Sequence, residues 1–205
     1  MPSLPVPEGL QRDGIALRRL RPRDIVPFVA AFREDPRLGE LVGSERDPTE
    51  SSVRRFIARQ PRLRARGEFL GLAVTDAVTR RPFLGHVMLH TIDFANQRAE
   101  IGYWLVRGAR GDGVGRAAVS LLVDWAFARL PLHRLEIMTT PENTAARALA
   151  GAIGFHEEGI MRARNVERGR HVDVVLLARL RDAPAPRATG AESAARSEYP
   201  PRGGR

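Results

Sequence analysis

The stretch between residues 99 and 129 constrains this chain more than any other. Residues 99–106 are apolar and rich in aromatic and branched side chains, which predicts a strand. Gly108, Gly111, Gly113 and Gly115 then interrupt regular structure. Ala118, Leu121, Leu122, Trp125 and Ala126 return at helical spacing before Pro131 stops the run. Strand, glycine loop and helix start, in that order, make a receptor for an anionic group. The first N–H groups of the helix lack partners and meet the positive end of its dipole, and glycine lets phosphate oxygens come close. Arg107, Arg110 and Arg116 add positive charge around the mouth.

Two common phosphate loops do not fit. A Walker loop requires lysine, and all 33 basic residues are arginine. A dinucleotide fingerprint requires G-x-G-x-x-G, whereas Gly111, Gly113 and Gly115 run G-x-G-x-G. Glu136 lies at about the twenty-residue distance that such a fingerprint asks for, a coincidence of spacing. The segment Arg110-Gly111-Asp112-Gly113-Val114-Gly115 instead resembles the coenzyme A pyrophosphate loop of the GNAT superfamily of N-acetyltransferases. That motif has glutamine or arginine first, glycine fourth, and glycine or alanine sixth. The flanks are similar too. Residues 99–105 look like that family's fourth strand, and residues 133–136, 141–147 and 153–155 look like its fifth strand and the helix after it. Together, in this order, the blocks resemble the RimJ/RimL-type branch over roughly residues 13–181.

The resemblance implies an α/β GNAT fold, a mixed and mostly antiparallel sheet of about seven strands flanked by helices. It also implies acetyl-CoA as cosubstrate, with no metal. The pantetheine would insert like a substitute strand along the backbone of Trp104, Leu105 and Val106, where an N–H would serve as oxyanion donor. Arg110, Gly111, Asp112, Gly113, Val114, Gly115 and Arg116 would hold the pyrophosphate. Asn143 would reach the pantetheine arm, or would simply cap a helix. Glu100 takes the place of a general base, taking the amine proton directly or through water if burial raises its pKa. The plain alternative is a strand glutamate paired with an arginine. Glu136 is a weaker candidate on the neighbouring strand. One position departs from the pattern: Ala146 stands where many RimJ/RimL-like relatives have serine, and no tyrosine lies on the helix that follows. No side chain is an obvious general acid for the departing thiolate.

At 205 residues one domain with a single core is expected. No apolar run approaches membrane-spanning length, and Met1 to Gly9 is Pro-rich without an apolar h-region, so neither a membrane span nor a secretory signal is predicted. Cytoplasm is the expected location. The absence of cysteine excludes disulfides, thiolate metal sites and a covalent thiol mechanism. A net charge of +9 invites a nucleic-acid partner, but aromatics at 6% do not interleave with the basic residues, and none is expected. A second copy of the chain remains a candidate partner.

In chain order, residues 1–12 read as a flexible segment and 13–21 as an edge strand, and Asp24 caps a helix to about Phe32. A second helix begins near Thr49 or Ser51. Residues 34–50 hold six acids against two arginines, while residues 54–66 hold six arginines and no acid. These are either solvated surfaces, or the acidic segment draws in a cationic amine. Strands follow at 69–75 and 83–93. On the second, His86, Met88, His90 and Ile92 share a face. Two histidines lack a third ligand for a metal, and His90 is a minor candidate base. After the strand at 134–140 and the helix at 143–153, strands at 155–161 and 172–180 flank a polar loop. From Asp182 the chain lacks Leu, Ile, Val and Phe, which predicts a disordered tail over 182–205.

The function so implied is direct acetyl transfer to a primary amine. The branch suggests a protein N-terminal α-amine; a polyamine or aminoglycoside-like amine, or a coenzyme A-binding module without turnover, are the alternatives. Deleting residues 184–205 is expected to leave melting temperature and turnover nearly unchanged, since the segment has no apolar anchor. A large loss of either in a thermal melt or a transfer assay would show that the tail docks.

Overall fold

The computed structural model describes residues 2–41, 47–79, 82–167 and 169–182. Its elements are β1 (Gln11–Arg12), β2 (Ile15–Arg19), α1 (Ile25–Glu34), α2 (Arg37–Leu41), α3 (Glu50–Ala65), β3 (Leu70–Asp76), β4 (Phe83–Asp93) and β5 (Arg98–Leu105), then α4 (Val114–Arg129), β6 (Arg134–Thr139), α5 (Thr144–Ala152), β7 (His156–Glu167) and β8 (Arg170–Leu180). The strands form one sheet in the order β1-β2-β3-β4-β5-β6-β8-β7. All neighbours are antiparallel except β5 and β6, which α4 connects as a parallel pair. This is the GNAT fold, with one strand more than expected because Gln11–Arg12 adds a short edge to β2.

Period-2 alternation divides the sheet into two faces. Leu72, Val74, Val87, Leu89, Ile101 and Leu105 pack with α4 in the larger core. On the other face, Ala73, Phe83 and Trp104 pack with Phe28, Phe32 and Val53 of α1 and α3. Helix α4 is apolar almost all round, from Ala117 to Phe127, because strands, α5 and its own flanks cover it. Arg181 closes its C-terminal end by donating to the carbonyls of Phe127, Leu130 and Leu132. Among the described residues no helix is long and apolar enough to cross a membrane.

Three local expectations differ from the structure, while the second helix starts where expected. Leu4 lies in the core of the segment read as flexible, held by Leu4 N–H to Arg64 O at 3.0 Å and by Arg64 Nη1 to Leu4 O at 3.1 Å. Asp24 does precede α1 but does not cap it. Its buried carboxylate receives both ends of the Arg18 guanidinium at 2.7 Å, together with the Arg21 N–H, because a carboxylate out of water needs charge-matched donors. The start of α3 is held by Thr49, whose side chain accepts from Ser52 N–H. The polar loop expected over 162–171 is mostly strand, since β7 and β8 keep pairing out to Glu167 and Arg170 through main-chain bonds that do not depend on apolar side chains. The tail from 183 lies outside the described residues.

His86, expected to share a face with His90, is fully enclosed. Its ring lies between Phe28, Phe56 and Trp104 at centroid distances of 6.0, 5.8 and 6.2 Å. Burial drives its pKa down to about 3. The folded chain therefore refuses a proton that the unfolded chain accepts below about pH 6.5, and stability falls as pH drops from there toward 3. Urea titrations are expected to show about 2 kcal/mol lost to this residue between roughly pH 7 and 5. His86→Leu should lose correspondingly less, and an unchanged pH dependence in that variant would rule the assignment out.

Candidate active site

The site begins where a parallel pair stops pairing. Arg98, Ala99 and Glu100 of β5 match Arg134, Leu135 and Glu136 of β6, and the ladder ends there, although β5 runs on to Leu105 and β6 to Thr139. The reason lies one strand away. Between β3 and β4 the register slips at Val74/Thr75, and Gly85 follows on β4. A Cβ at Gly85 would stand 2.3 Å from Trp104 O and 2.9 Å from Leu105 Cα, so only glycine lets the end of β5 come this close to β4. Meanwhile β6 stays with β8 along its whole length. The end of β5 follows one neighbour, β6 follows the other, and a wedge opens.

Main-chain directions along the wedge follow from one bond. Val106 N–H donates to Leu84 O at 3.0 Å, so Val106 and Trp104 turn their polar groups toward β4. Leu105 and Tyr103 turn theirs to the open edge. Of the three backbones expected to face a pantetheine arm, only that of Leu105 turns its polar groups to the open edge. The Trp104 side chain is 4% exposed and sits edge-on to Phe28 and Phe32 at 4.7 and 5.2 Å. Tyr103 keeps its proton at neutral pH, because burial pushes the hydroxyl up to about 12.

The glycine loop opens at the top of the wedge. Gly111 and Gly113 have φ of +98° and +78°, and a Cβ on either would meet nothing within 4 Å. The loop thus faces open space with left-handed backbone that suits glycine. The first intrahelical bond of α4 comes from Ala117 N–H to Gly113 O, leaving the N–H groups of Val114, Gly115 and Arg116 to the helix start. Gly115 serves packing instead. A Cβ there would lie 2.8 Å from Leu149 Cδ1, so the bare backbone seats α4 against α5. Asp112, Arg116 and Arg107 are exposed. Arg110 is engaged: Nη1 lies 2.7 Å from Asp35 Oδ2, and Nε and Nη2 donate to Leu105 O at 3.1 and 2.9 Å. An open strand edge and a free helix start in line fit the two anionic and amide-bearing halves of coenzyme A.

Glu100 stands at the crotch, the last paired position. Its partner across β4 is His90, whose Nδ1 lies 3.9 Å from Glu100 Oε2 and 2.9 Å from Thr91 Oγ1. Desolvation lowers the His90 pKa, against a smaller upward pull from Glu100, so the ring is neutral at pH 7. Glu136, in register beside Glu100, is tied to Arg134 at 2.6 Å and to Arg98 at 3.5 Å. Asn143 spends its carbonyl oxygen on the Ala146 N–H at 3.1 Å, capping α5, and keeps its NH₂. Ala146 itself is buried. In the acidic segment, Asp35 is withdrawn into the Arg110 pair, Asp47 and Glu50 are exposed, and Glu45 lies outside the described residues. Two residues of this site carried little local signal. Gly85 is an isolated glycine in a strand, which hints at a bulge or close approach. Asp35 gave no hint at all.

The model of the acetyltransferase (GNAT) domain family matches residues 15–156. This chain belongs to the GNAT family. The "Putative ribosomal N-acetyltransferase YdaF" of Bacillus subtilis (strain 168) is 30% identical over 162 residues, 78% of this chain and 88% of that one. Mycobacterium smegmatis RimJ, solved in complex with CoA-disulfide, superposes with a TM-score of 0.73 at 25% identity, covering 81% of each chain. The spermidine N(1)-acetyltransferase of Vibrio cholerae serotype O1 is 30% identical over 101 residues, 49% of this chain and 57% of that one. The chain is an acetyl-CoA-dependent N-acetyltransferase of GNAT type.

The two loop glycines generate a paired test. Gly113→Val forces a branched residue into a left-handed position without a steric clash, so it should stay folded and lose at least about tenfold in coenzyme A affinity by calorimetry. Gly115→Val should instead lower the melting temperature, because its side chain must displace the Leu149 methyl that packs α5 on α4. Undiminished affinity in folded Gly113→Val would remove the loop from the cofactor site.

Proposed function

We propose that this enzyme acetylates the α-amine of a protein N-terminus by direct transfer in the cytoplasm, with Glu100 as general base. The observation that carries the reading is the Glu100–His90 pair at the point where β5 and β6 part. Among the described residues the side chain facing Glu100 at ion-pair distance is this imidazole and not an arginine, so its carboxylate oxygens are not spent on a guanidinium. An N-terminal amine has a pKa near 8 and is about a tenth neutral at pH 7, whereas amines with pKa above 10 are neutral at only about one part in a thousand. A modest base suits the former. The similarity to YdaF, described as a putative ribosomal N-acetyltransferase, supports a protein acceptor.

In this reading acetyl-CoA supplies an activated thioester, and the chain does the rest. Gly111, Asp112, Gly113 and the helix start from Val114 to Arg116 bind the pyrophosphate. Asn143 offers its NH₂ to the pantetheine arm while its oxygen caps α5. The Leu105 N–H on the open edge donates to the negative charge that develops on the thioester oxygen. The amine nitrogen forms its bond to the acetyl carbon, the carbon–sulfur bond breaks with its electron pair on sulfur, Glu100 takes the amine proton, and water supplies a proton to the departing thiolate. With no cysteine in the chain, no protein thiol carries the acetyl group between substrates. Below its lowered pKa, His90 becomes an imidazolium that holds Glu100 in an ion pair and removes the base.

Glu100→Gln is expected to lower kcat by about 10²-fold or more with little change in coenzyme A affinity. Beyond the fall that protonation of the amine itself causes, the wild-type kcat/KM should drop further at a pH below the ordinary histidine value of 6.5, and the variant should lose that additional drop. An additional drop that persists in Glu100→Gln would place the ionisation elsewhere. Across an acceptor panel, peptides with a free α-amine should outperform spermidine, and the reverse order would move the acceptor to the polyamine class.

A further inference from the structure

We infer that Asp35 is a positioning residue of the cofactor loop: through Arg110 it ties the end of helix α1 to the open edge of β5 and holds the loop in its binding geometry. The inference deepens the reading above and rests on it.

Asp35 closes α1, with its N–H on Ala31 O at 3.0 Å, and its side chain is 3% exposed. One carboxylate oxygen receives Arg110 Nη1 at 2.7 Å, and the other receives the Arg37 N–H at 3.2 Å, at the start of α2. Burial alone would raise this carboxyl, but the Arg110 hydrogen bond and charge prevail and hold it below the usual value. The remaining Arg110 nitrogens, Nε and Nη2, both reach Leu105 O. One planar fork therefore joins a carboxylate on the α1–α2 side of the sheet to the last carbonyl of β5.

That carbonyl matters because it lies where β5 has no strand partner, and a main-chain acceptor in a wedge needs a donor. Arg110 supplies it, and in doing so folds residues 106–110 back over the strand end. Gly111 to Gly113 begin directly after the anchored residue. A buried ion pair is seldom the cheapest route to stability, since apolar residues of similar shape serve as well. What the pair provides here is a fixed distance between loop and strand. It also means that Arg110 is neutralised, so attraction for phosphate falls to the exposed Arg107 and Arg116 and to the start of α4.

The test uses the full chain and measures coenzyme A binding by calorimetry, alongside melting temperature. Asp35→Asn and Arg110→Lys are each expected to weaken binding by about tenfold, and the double variant no more than the weaker-binding single, because both act through one link. Lysine has a single head and cannot span both acceptors, so Arg110→Lys, at a residue 39% exposed, serves if Asp35→Asn fails to fold. The ratio of wild-type to variant affinity should stay constant as salt is raised, since the pair is shielded from solvent on the Asp35 side. Lower melting temperatures with unchanged affinity would make the pair merely structural and overturn the inference. So would losses that add in the double variant. A wild-type chain that bound no coenzyme A would remove the underlying reading and the inference together.

Discussion

The parting of β5 from β6 is the constraint on which the rest of the site depends. It arises from competition between neighbours. Gly85 lets the end of β5 settle on β4, and β8 keeps hold of β6 at every position from Arg134 to Thr139. A strand edge left without a partner inside a protein must find other donors and acceptors, because buried main-chain groups are costly when unsatisfied. Arg110 answers for Leu105 O. The rest of that edge is available to an extended, amide-bearing ligand. The binding site is thus a consequence of strand pairing broken at a defined place.

Packing keeps the wedge from closing. Trp104 is clamped by Phe28, Phe32 and Phe83, which fixes the side-chain face of β5 and with it the direction of the Leu105 and Tyr103 amides. On the opposite face, Gly115 lets α4 come close to Leu149 and Leu105, so the helix start arrives at the mouth of the same wedge. A shift of either wall would misalign the phosphate loop and the strand edge, which one extended molecule has to engage together.

Charge is used selectively in an arginine-rich chain. Buried or partly buried carboxylates are matched to guanidinium groups: Asp24 to Arg18, Asp35 to Arg110, and Glu136 to Arg134 and Arg98. Each pairing spends its carboxylate oxygens on guanidinium donors. Glu100 is treated differently, with an imidazole that desolvation keeps neutral. Two glutamates side by side in register on β5 and β6 therefore face different partners, one a pair of guanidinium groups and the other an imidazole.

What the sequence determined by itself was local. Glycines at 111 and 113 with a helix-spaced apolar run after them, strands of alternating or aromatic residues before them, and Asn143 ahead of α5 are patterns that short-range backbone geometry enforces, and each appears where expected. The geometry of the glycine loop was legible for that reason. Tertiary structure decided everything that depends on register and on distant partners. That Glu100 faces His90 follows from one alignment of β4 on β5, and a slip of a single residue would put the two on opposite faces. That Asp35, counted among surface acids, is buried against Arg110 depends on how α1 lies against a loop 75 positions further along the chain. That Leu105 and not Trp104 or Val106 opens to the wedge depends on a bond to Leu84 on another strand. Local periodicity carries no information on such pairings, because it records which face a residue takes within its own element and not what stands opposite.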